Sequence, residues 1–174
     1  MPTRRSVALI SLILLSLALI GCALPTAHPI YPTPNGTHPP TGPGPDQRRI
    51  HLCAEEKELL ARLVTAESCG EPYTGMVAVA ASVLNRVDHV DYPNTVTDVI
   101  YQVVAGIYYQ YEPVLNGRIN LPACEEAYRA VEDAIRGSDP SLGATGFFNP
   151  AKTDNQWVRS RPVTVIIANH VFFR

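Results

Sequence analysis

Apolar residues recur at helical spacing in several stretches of the chain, and the first of these stretches carries an unexpected acid. A helix is predicted from about residue 54 to about residue 70, where Leu60, Leu63 and Val64 lie on one face. Glu67 follows these residues by seven, four and three positions, so it continues the same apolar face. Burial there disfavours the charged carboxylate and raises its pKa. The pattern therefore marks Glu67 as a candidate general acid.

The rest of the pattern predicts a small, mainly helical α+β fold. The first two helices are expected to form a helical hairpin. A long segment, residues 103 to 121, has no clear period but holds too many aromatic residues for disorder. A polar loop, residues 149 to 161, separates the two predicted strands. The further predicted helices span about 74–87, 95–102 and 122–136, and the predicted strands span 144–148 and 162–168.

The first 22 residues have the pattern of an export signal. Arg4 and Arg5 precede an apolar or small run over residues 7–20 that is short for a membrane span. The run ends in Leu-Ile-Gly-Cys, which resembles a bacterial lipobox and predicts lipid attachment at Cys22. An uncleaved anchor is the alternative. Both interpretations place the remaining chain outside the cytoplasm and attached to the membrane.

Residues 23–47 are predicted to be a proline-rich tether. Eight prolines between residues 25 and 45 favour extended, semi-rigid chain and leave too few apolar side chains for a core. At about 3 Å per residue, such a tether spans several tens of ångströms. One folded domain is predicted after it, over residues 48–174.

The charge of the mature chain argues against nucleic acid as a partner. Without Arg4 and Arg5, twelve basic residues face sixteen acidic ones, whereas nucleic-acid binding needs a basic patch. A substrate is therefore expected to be held by hydrogen bonds and ring stacking more than by net charge.

Three cysteines remain besides Cys22, and their pairing stays open. A helix between Cys53 and Cys69 would separate them by roughly 20 Å or more, which is beyond disulfide reach. Any bridge should therefore join Cys124 to one of these two. Three free thiols are the alternative.

Glu67 also has a structural interpretation, in which it reaches solvent or pairs with a nearby arginine, Arg62 or Arg86. Most glycosidases use two carboxylates across the scissile bond. No second acid lies as clearly on an apolar face, although Asp91 and Glu112 are in segments that could approach it.

No metal or cofactor site is predicted. The five histidines include no pair at i,i+4 spacing, and neither a nucleophile elbow nor a phosphate loop is present. Aromatic side chains offer flat faces for sugar rings, and Trp157, in a polar loop, is the best stacking candidate. The amides of Gln110 and Asn149 could bond sugar hydroxyl groups.

The sequence resembles the bacterial cell wall hydrolases of the spore-cortex-lytic SleB and CwlJ type. The resemblance covers residues 59 to 173 and rests on ordered blocks, of which the first, from Leu59, contains Glu67. The blocks are LLARLVTAESCGEP, GMVAVAASVLNRV from Gly75, PNTV from Pro93, VIYQ from Val99, QYEPVLNGRI from Gln110, DPSLGATGFFNP from Asp139 and VTVIIANHVFF from Val163.

The resemblance implies a lysozyme-like domain that cleaves peptidoglycan between N-acetylmuramic acid and N-acetylglucosamine. It places the family's essential acid on Glu67. Lytic transglycosylation, the usual outcome in the spore enzymes, needs a single acid/base because the muramic acid's own 6-hydroxyl group displaces the leaving sugar. The expected groove residues are Gln110, Tyr111, Asn149 and Trp157. Many relatives have Gln-Phe where this chain has Gln110-Tyr111.

Several alternatives stay open. Water could replace the 6-hydroxyl group, which would make the reaction a hydrolysis, and the substrate could be spore cortex or vegetative wall. The protein could instead be a non-catalytic lipoprotein that binds glycan strands or scaffolds an envelope complex. Zinc amidase chemistry is a distant further possibility. The expected location is the outer face of the cytoplasmic membrane or the spore envelope.

Overall fold

Six helices and five short strands are present in residues 51–174, which are the residues that this computed structural model describes. The predicted signal with Cys22 and the predicted tether lie outside the described residues. The helices are α1 (Ala54–Ser68), α2 (Tyr73–Val87), α3 (Val96–Ile100), α4 (Glu112–Leu115), α5 (Glu125–Ile135) and α6 (Gln156–Arg159). The strands are β1 (Val103–Val104), β2 (Tyr108–Tyr109), β3 (Gly146–Phe148), β4 (Val163–Ile167) and β5 (His170–Phe173).

Helices α1, α2 and α5 pack against one another and form the core. Glu55 and Glu56 lie in the first turn of α1, where the helix dipole favours acids, and Leu60, Leu63 and Val64 are fully buried behind them. In α2 every residue from 75 to 86 is buried, because α1, α5 and β3 pack around this helix. The burial of α2 therefore extends around the whole helix and is not confined to one apolar face.

Strands β3, β5 and β4 form an antiparallel sheet in that order. The central strand β5 is buried along its whole length, and Phe172 is its most buried large side chain. A register shift between Val163 and Val165 interrupts the pairing of β4 with β5. Strands β1 and β2, which follow α3 in the sequence, form a separate small hairpin.

Polar side chains near the end of α2 fix the turn that leads into β3. The Asp139 carboxylate accepts hydrogen bonds from Asn85 Nδ2 (3.0 Å), Ser141 N (3.0 Å) and Gly143 N (2.9 Å). Asn85 Nδ2 also donates to the Ala144 carbonyl (2.9 Å). Buried polar groups need such partners, so this network sets where β3 begins. The position of Phe147 and Phe148 follows from it.

The predicted fold class is confirmed, but three local predictions were incomplete. Strand β5 was missed, because the predicted strand ended at Ala168, where the chain turns back with a positive φ of 47°. Helix α6 lies inside the predicted polar loop. The segment 103–121, expected to be aperiodic, holds β1, β2, α4 and a 3₁₀ turn. Each of these elements is too short to leave a periodic signal.

Two further findings concern the described residues only. Cys53, Cys69 and Cys124 are free thiols, so neither of the possible disulfides with Cys124 forms. The backbone N–H of Cys124 instead donates a hydrogen bond to Thr65 Oγ1 (3.0 Å). Within residues 51–174, no helix has the length and apolar character needed to cross a membrane.

Candidate active site

An open cleft of about 340 Å³ lies beside the C-terminal end of α1. Its wall combines α1, the chain around α4, strand β3, the loop after it and the start of β5. The lining residues are Ala66, Glu67, Arg86, Gln110, Tyr111, Glu112, Pro113, Arg118, Phe147, Phe148, Asn149, Lys152, Thr153, Val158 and His170. The acid identified from the helical pattern therefore lies in a cleft with both aromatic and charged walls.

Glu67 has a strongly perturbed acidity in this cleft. Burial raises its pKa to about 7, chiefly because the half-buried carboxylate loses hydration. The negative charge of Glu112 raises the pKa further, whereas the positive charges of Arg118 and Lys152 oppose this rise. A carboxyl with this pKa is protonated in about half of the molecules at neutral pH, so it can both give and take a proton.

Neither arginine that could have neutralised Glu67 does so. Arg62 forms an ion pair with Glu58 one helical turn away, at 2.7 Å. Arg86 is 8% exposed; its Nε donates to the Thr145 carbonyl, and its Nη1 donates to Gln110 Oε1 (2.9 Å). The structural interpretation of Glu67 as an ion-pair partner of either arginine is therefore wrong.

Arg86 organises the wall of the cleft that Gln110 and Tyr111 form. Its guanidinium carbon lies 5.0 Å from the ring centre of Tyr92 and 5.3 Å from that of Tyr111. The Tyr111 ring also contacts Phe147, with ring centres 6.4 Å apart. The sequence predicted Gln110 and Tyr111 as groove residues, and the structure brings both to the cleft. Tyr111 is only 4% exposed, so it forms the packed base of this wall.

The two other predicted groove residues have different locations. Asn149 lines the cleft, and its Oδ1 accepts a hydrogen bond from Ala151 N (2.9 Å). Trp157 is not among the lining residues, contrary to the prediction. The side chain of Asn155 caps α6, and Trp157 turns edge-on to Phe173 with Arg161 over its ring. Its neighbour Val158 reaches the cleft instead.

Sequence reasoning missed His170 as a lining residue. Burial lowers the pKa of this imidazole, while the negative charge of Glu71 opposes the shift. Its Nδ1 is buried without a hydrogen-bond partner among the described residues. Glu71 accepts hydrogen bonds from the adjacent Asn169, at its backbone N (3.3 Å) and its Nδ2 (2.9 Å). A lone histidine in an unrecognised strand gave no signal in the sequence.

Arg118 and Lys152 were also missed, because they reach the cleft only through the tertiary fold. Within residues 51–174, no group of three or more His, Cys, Asp or Glu side chains is arranged to hold a metal ion. The chemistry that this cleft supports is proton transfer by Glu67, with aromatic faces and polar groups beside it to hold a ligand.

Comparisons with known proteins agree with this geometry. Residues 70–173 match the family described as Cell Wall Hydrolase. The chain is 43% identical over 115 residues to the spore cortex-lytic enzyme of Halalkalibacterium halodurans, which is 66% of this chain and 33% of that protein. It is 44% identical over 115 residues to the spore cortex-lytic enzyme of Bacillus cereus, which is 66% of this chain and 42% of that protein. The chain thus matches less than half the length of these relatives.

A solved structure supports the fold. The catalytic domain of the germination-specific lytic transglycosylase SleB from Bacillus anthracis superposes with a TM-score of 0.64 at 40% sequence identity. The match covers 71% of this chain and 97% of that structure. The part of this chain that folds as an α+β domain therefore corresponds to a domain that was solved by itself.

Proposed function

This chain belongs to the cell wall hydrolase family, and we propose that it cleaves peptidoglycan between N-acetylmuramic acid and N-acetylglucosamine. The observation that carries the proposal is Glu67, a half-buried carboxyl in an open cleft whose pKa is raised to about 7. Neither Arg62 nor Arg86 neutralises it. The names of the similar proteins, spore cortex-lytic enzyme and lytic transglycosylase, support the same chemistry.

The proposed reaction is lytic transglycosylation with one acid/base. Protonated Glu67 gives its proton to the glycosidic oxygen while the bond from that oxygen to C1 of the muramic acid breaks. The 6-hydroxyl oxygen of the same muramic acid forms the new bond to C1, and its proton passes to the Glu67 carboxylate. The products are a 1,6-anhydro end and a free 4-hydroxyl group, so no water is consumed and Glu67 is restored to its protonated form.

The remaining cleft residues have proposed binding roles. Gln110 and Asn149 offer amide groups for sugar hydroxyls, and Tyr111 provides an aromatic surface beside them. Arg118 and Lys152 add positive charge that suits the carboxylates of the peptide stems. Trp157 has no part in this proposal, because it faces Phe173 and not the cleft.

Digestion of purified peptidoglycan tests the proposed function. Because the matching SleB domain was solved as a separate chain, the soluble piece from Gln47 to Arg174 is a suitable enzyme preparation. We expect it to release anhydro-muropeptides, identified by mass spectrometry, from wall with or without the cortex lactam. Reducing ends in their place would establish hydrolysis. No release from either wall by the folded domain would reject catalysis and favour glycan binding or scaffolding.

The pH dependence of this activity should respond in opposite directions to two charge changes near Glu67. Protonated Glu67 starts the reaction, so activity should fall as the pH rises through its pKa of about 7. Glu112→Gln removes a negative charge and lowers that pKa, which moves the alkaline fall to lower pH. Lys152→Met removes a positive charge and moves it to higher pH. Profiles of kcat/KM against pH measure both shifts.

The direction of these shifts separates an electrostatic role from a binding role. If Glu112 and Lys152 only held substrate, the two variants would change kcat/KM by a constant factor at every pH. Shifts in the same direction in both variants would contradict the assignment of the alkaline fall to Glu67.

We further propose that the domain is held at the outer face of the cytoplasmic membrane or in the spore envelope by lipid on Cys22. The support is the lipobox pattern, Leu19 to Cys22, and the envelope substrate that the proposed reaction requires. The mass of the N-terminal peptide of the membrane-extracted protein checks this proposal. An unmodified peptide that begins at Met1 would point to an uncleaved anchor.

A further inference from the structure

The hairpin formed by β1 and β2 is an exposed and uncharged projection next to the cleft. Residues 99–111 contain no Asp, Glu, Lys or Arg. The three-residue turn 105–107 closes the hairpin at its tip, and a hydrogen bond from Gln110 N to the Gln102 carbonyl (3.2 Å) closes its base. Both residues of each strand are exposed. Val103 and Tyr109 are partly covered, at 37% and 44% exposed, whereas Ile107 and Tyr108 are the most exposed large side chains of the hairpin.

This segment lies within residues 70–173, which match the family, but between two of the sequence blocks named above. The block VIYQ ends at Gln102 and the block QYEPVLNGRI begins at Gln110, so the seven residues between them belong to neither. The cleft begins at Gln110, directly after the hairpin. The proton transfer proposed for Glu67 makes no use of this segment.

The side chains of the hairpin differ along its length. Ile107 lies in the turn at the tip and is 67% exposed, and Val104 pairs with Tyr108 directly behind it. Tyr109 pairs with Val103 one step farther from the tip, and Tyr101 precedes the hairpin; all three tyrosines are exposed. An exposed apolar patch marks an interaction site. An aliphatic side chain cannot form hydrogen bonds with sugar hydroxyl groups. An aliphatic residue at the tip with tyrosines behind it instead matches the change in polarity across the surface of a lipid bilayer.

We propose that this hairpin inserts its tip into the interfacial region of a lipid bilayer. Ile107 would leave water for the acyl boundary, and the tyrosine hydroxyl groups would stay at headgroup level. Because the hairpin adjoins Gln110, the insertion would hold the cleft close to the membrane surface, where it could act on glycan strands beside the bilayer.

The chain outside the described residues has the length that this contact needs. Residues 23–50 lie between the predicted lipid attachment site and the first described residue, and 28 residues reach at most about 90 Å when extended. If Cys22 is anchored as proposed above, the hairpin can reach the same membrane. A tether also raises the local concentration of the hairpin at that surface, so a weak intrinsic affinity is sufficient.

The charge of the domain predicts which lipids it binds. Residues 51–174 carry ten Lys or Arg and fifteen Asp or Glu, and the hairpin has none of them. Attraction to anionic headgroups, which polybasic segments use, is therefore not available. Binding should depend on apolar burial, so neutral phosphatidylcholine vesicles should bind the domain at least as well as vesicles with anionic lipid.

Cosedimentation of the 47–174 domain with phosphatidylcholine vesicles tests the proposal. We expect binding at millimolar lipid, and we expect Ile107→Asp to lower the partition coefficient about tenfold or more, because an apolar side chain is replaced by a charge. Ile166→Asp is the matched control, since Ile166 is 66% exposed but lies on β4. It should partition like the parent. Circular dichroism checks that both variants are folded.

Three results would overturn the proposal. The first is that the parent does not bind the vesicles, or that Ile107→Asp and Ile166→Asp bind them equally. The second is an Ile107→Asp variant that digests membrane-free sacculi about tenfold more slowly, which would assign the hairpin to the glycan site. The third is a parent dimer that Ile107→Asp disperses in analytical ultracentrifugation, which would make a second copy the occupant. Loss of sacculus digestion in the parent would reject the proposed function but leave the vesicle result unaffected.

Discussion

Replacing Glu67 by glutamine should reduce the release of muropeptides by about a thousandfold or more, which is the range expected when a general acid/base is removed. Glutamine has nearly the same shape as glutamic acid, but it has no proton to give at neutral pH and no carboxylate to take one. Both proton transfers in the proposed reaction pass through this carboxyl, so both should fail. Mass spectrometry of the products after extended digestion measures the loss.

The stability of the variant gives an independent check on the same residue. Burial raises the pKa of Glu67 to about 7, so the folded state opposes its ionisation. The unfolded chain ionises it near the ordinary value of 4.5, and the carboxyl therefore destabilises the fold as the pH rises above that value. Glu67→Gln should be at least as stable as the parent at pH values above about 7, as followed by urea unfolding.

Glu71→Gln is the matched control for Glu67→Gln. Glu71 lies four residues later, does not line the cleft, and is held by Asn169. We expect this variant to keep activity within a few-fold of the parent, since it removes no proton donor from the cleft. Equal losses in the two variants, or an active Glu67→Gln, would contradict the assignment of Glu67 as the acid/base.

The helical part of the fold could be predicted from the sequence because its signal is local. The apolar period in α1 and α2 runs over several turns, and the same period drew attention to Glu67. Strand β5 was not predicted as the return strand of a hairpin, because the turn at Ala168 and Asn169 contains neither glycine nor proline. The pattern that identifies a hairpin turn was therefore absent.

The cleft was predictable only in part. The sequence predicts Glu67, Gln110, Tyr111 and Asn149 as site residues, and all four line the cleft. Trp157 does not line it, because the sequence does not tell which way a loop tryptophan turns, and here its ring packs perpendicular to that of Phe173.

Two charged residues that line the cleft could not be predicted, for a different reason. Arg118 and Lys152 come from segments that are far apart in the sequence, so only the tertiary fold brings their charges near Glu67. Surface arginines and lysines are common, and nothing in their local sequence separates these two from the others. The pKa of Glu67 therefore depends on an arrangement that local patterns do not encode.

Arg86→Met should produce the second large effect, a loss of both stability and activity. Arg86 is buried and, among residues 51–174, has no carboxylate as an ion-pair partner; it is held by the Thr145 carbonyl, by Gln110 and by two tyrosine rings. Methionine fills similar space but donates no hydrogen bond, so two partly buried acceptors would lose their donor. We expect the free energy of unfolding to fall by about 3 kcal/mol.

The activity of Arg86→Met should fall further than its folded fraction does. Arg86 acts through the residues it holds, since Gln110 accepts its hydrogen bond and Tyr111 lies against its guanidinium group. Without that support, the cleft wall loses its fixed geometry, and we expect kcat/KM to fall about tenfold or more under conditions where the variant is fully folded. Arg86→Lys should recover part of the stability, because lysine keeps the positive charge. The recovery should be incomplete, because lysine cannot make both hydrogen bonds.

Arg62→Met separates the loss of a buried hydrogen-bond donor from the loss of an arginine as such. Arg62 also lies on a core helix, but it is partly exposed and pairs with Glu58 on the surface of α1. Exposed ion pairs contribute about 0–1 kcal/mol, so the free energy of unfolding measured in urea should change little. The rate at which the variant digests sacculi should not change. If Arg86→Met proved as mild as Arg62→Met, or lost activity only in proportion to its unfolded fraction, Arg86 would not be a positioning residue. The cleft wall would then owe its geometry to the packing of Tyr111 against Phe147.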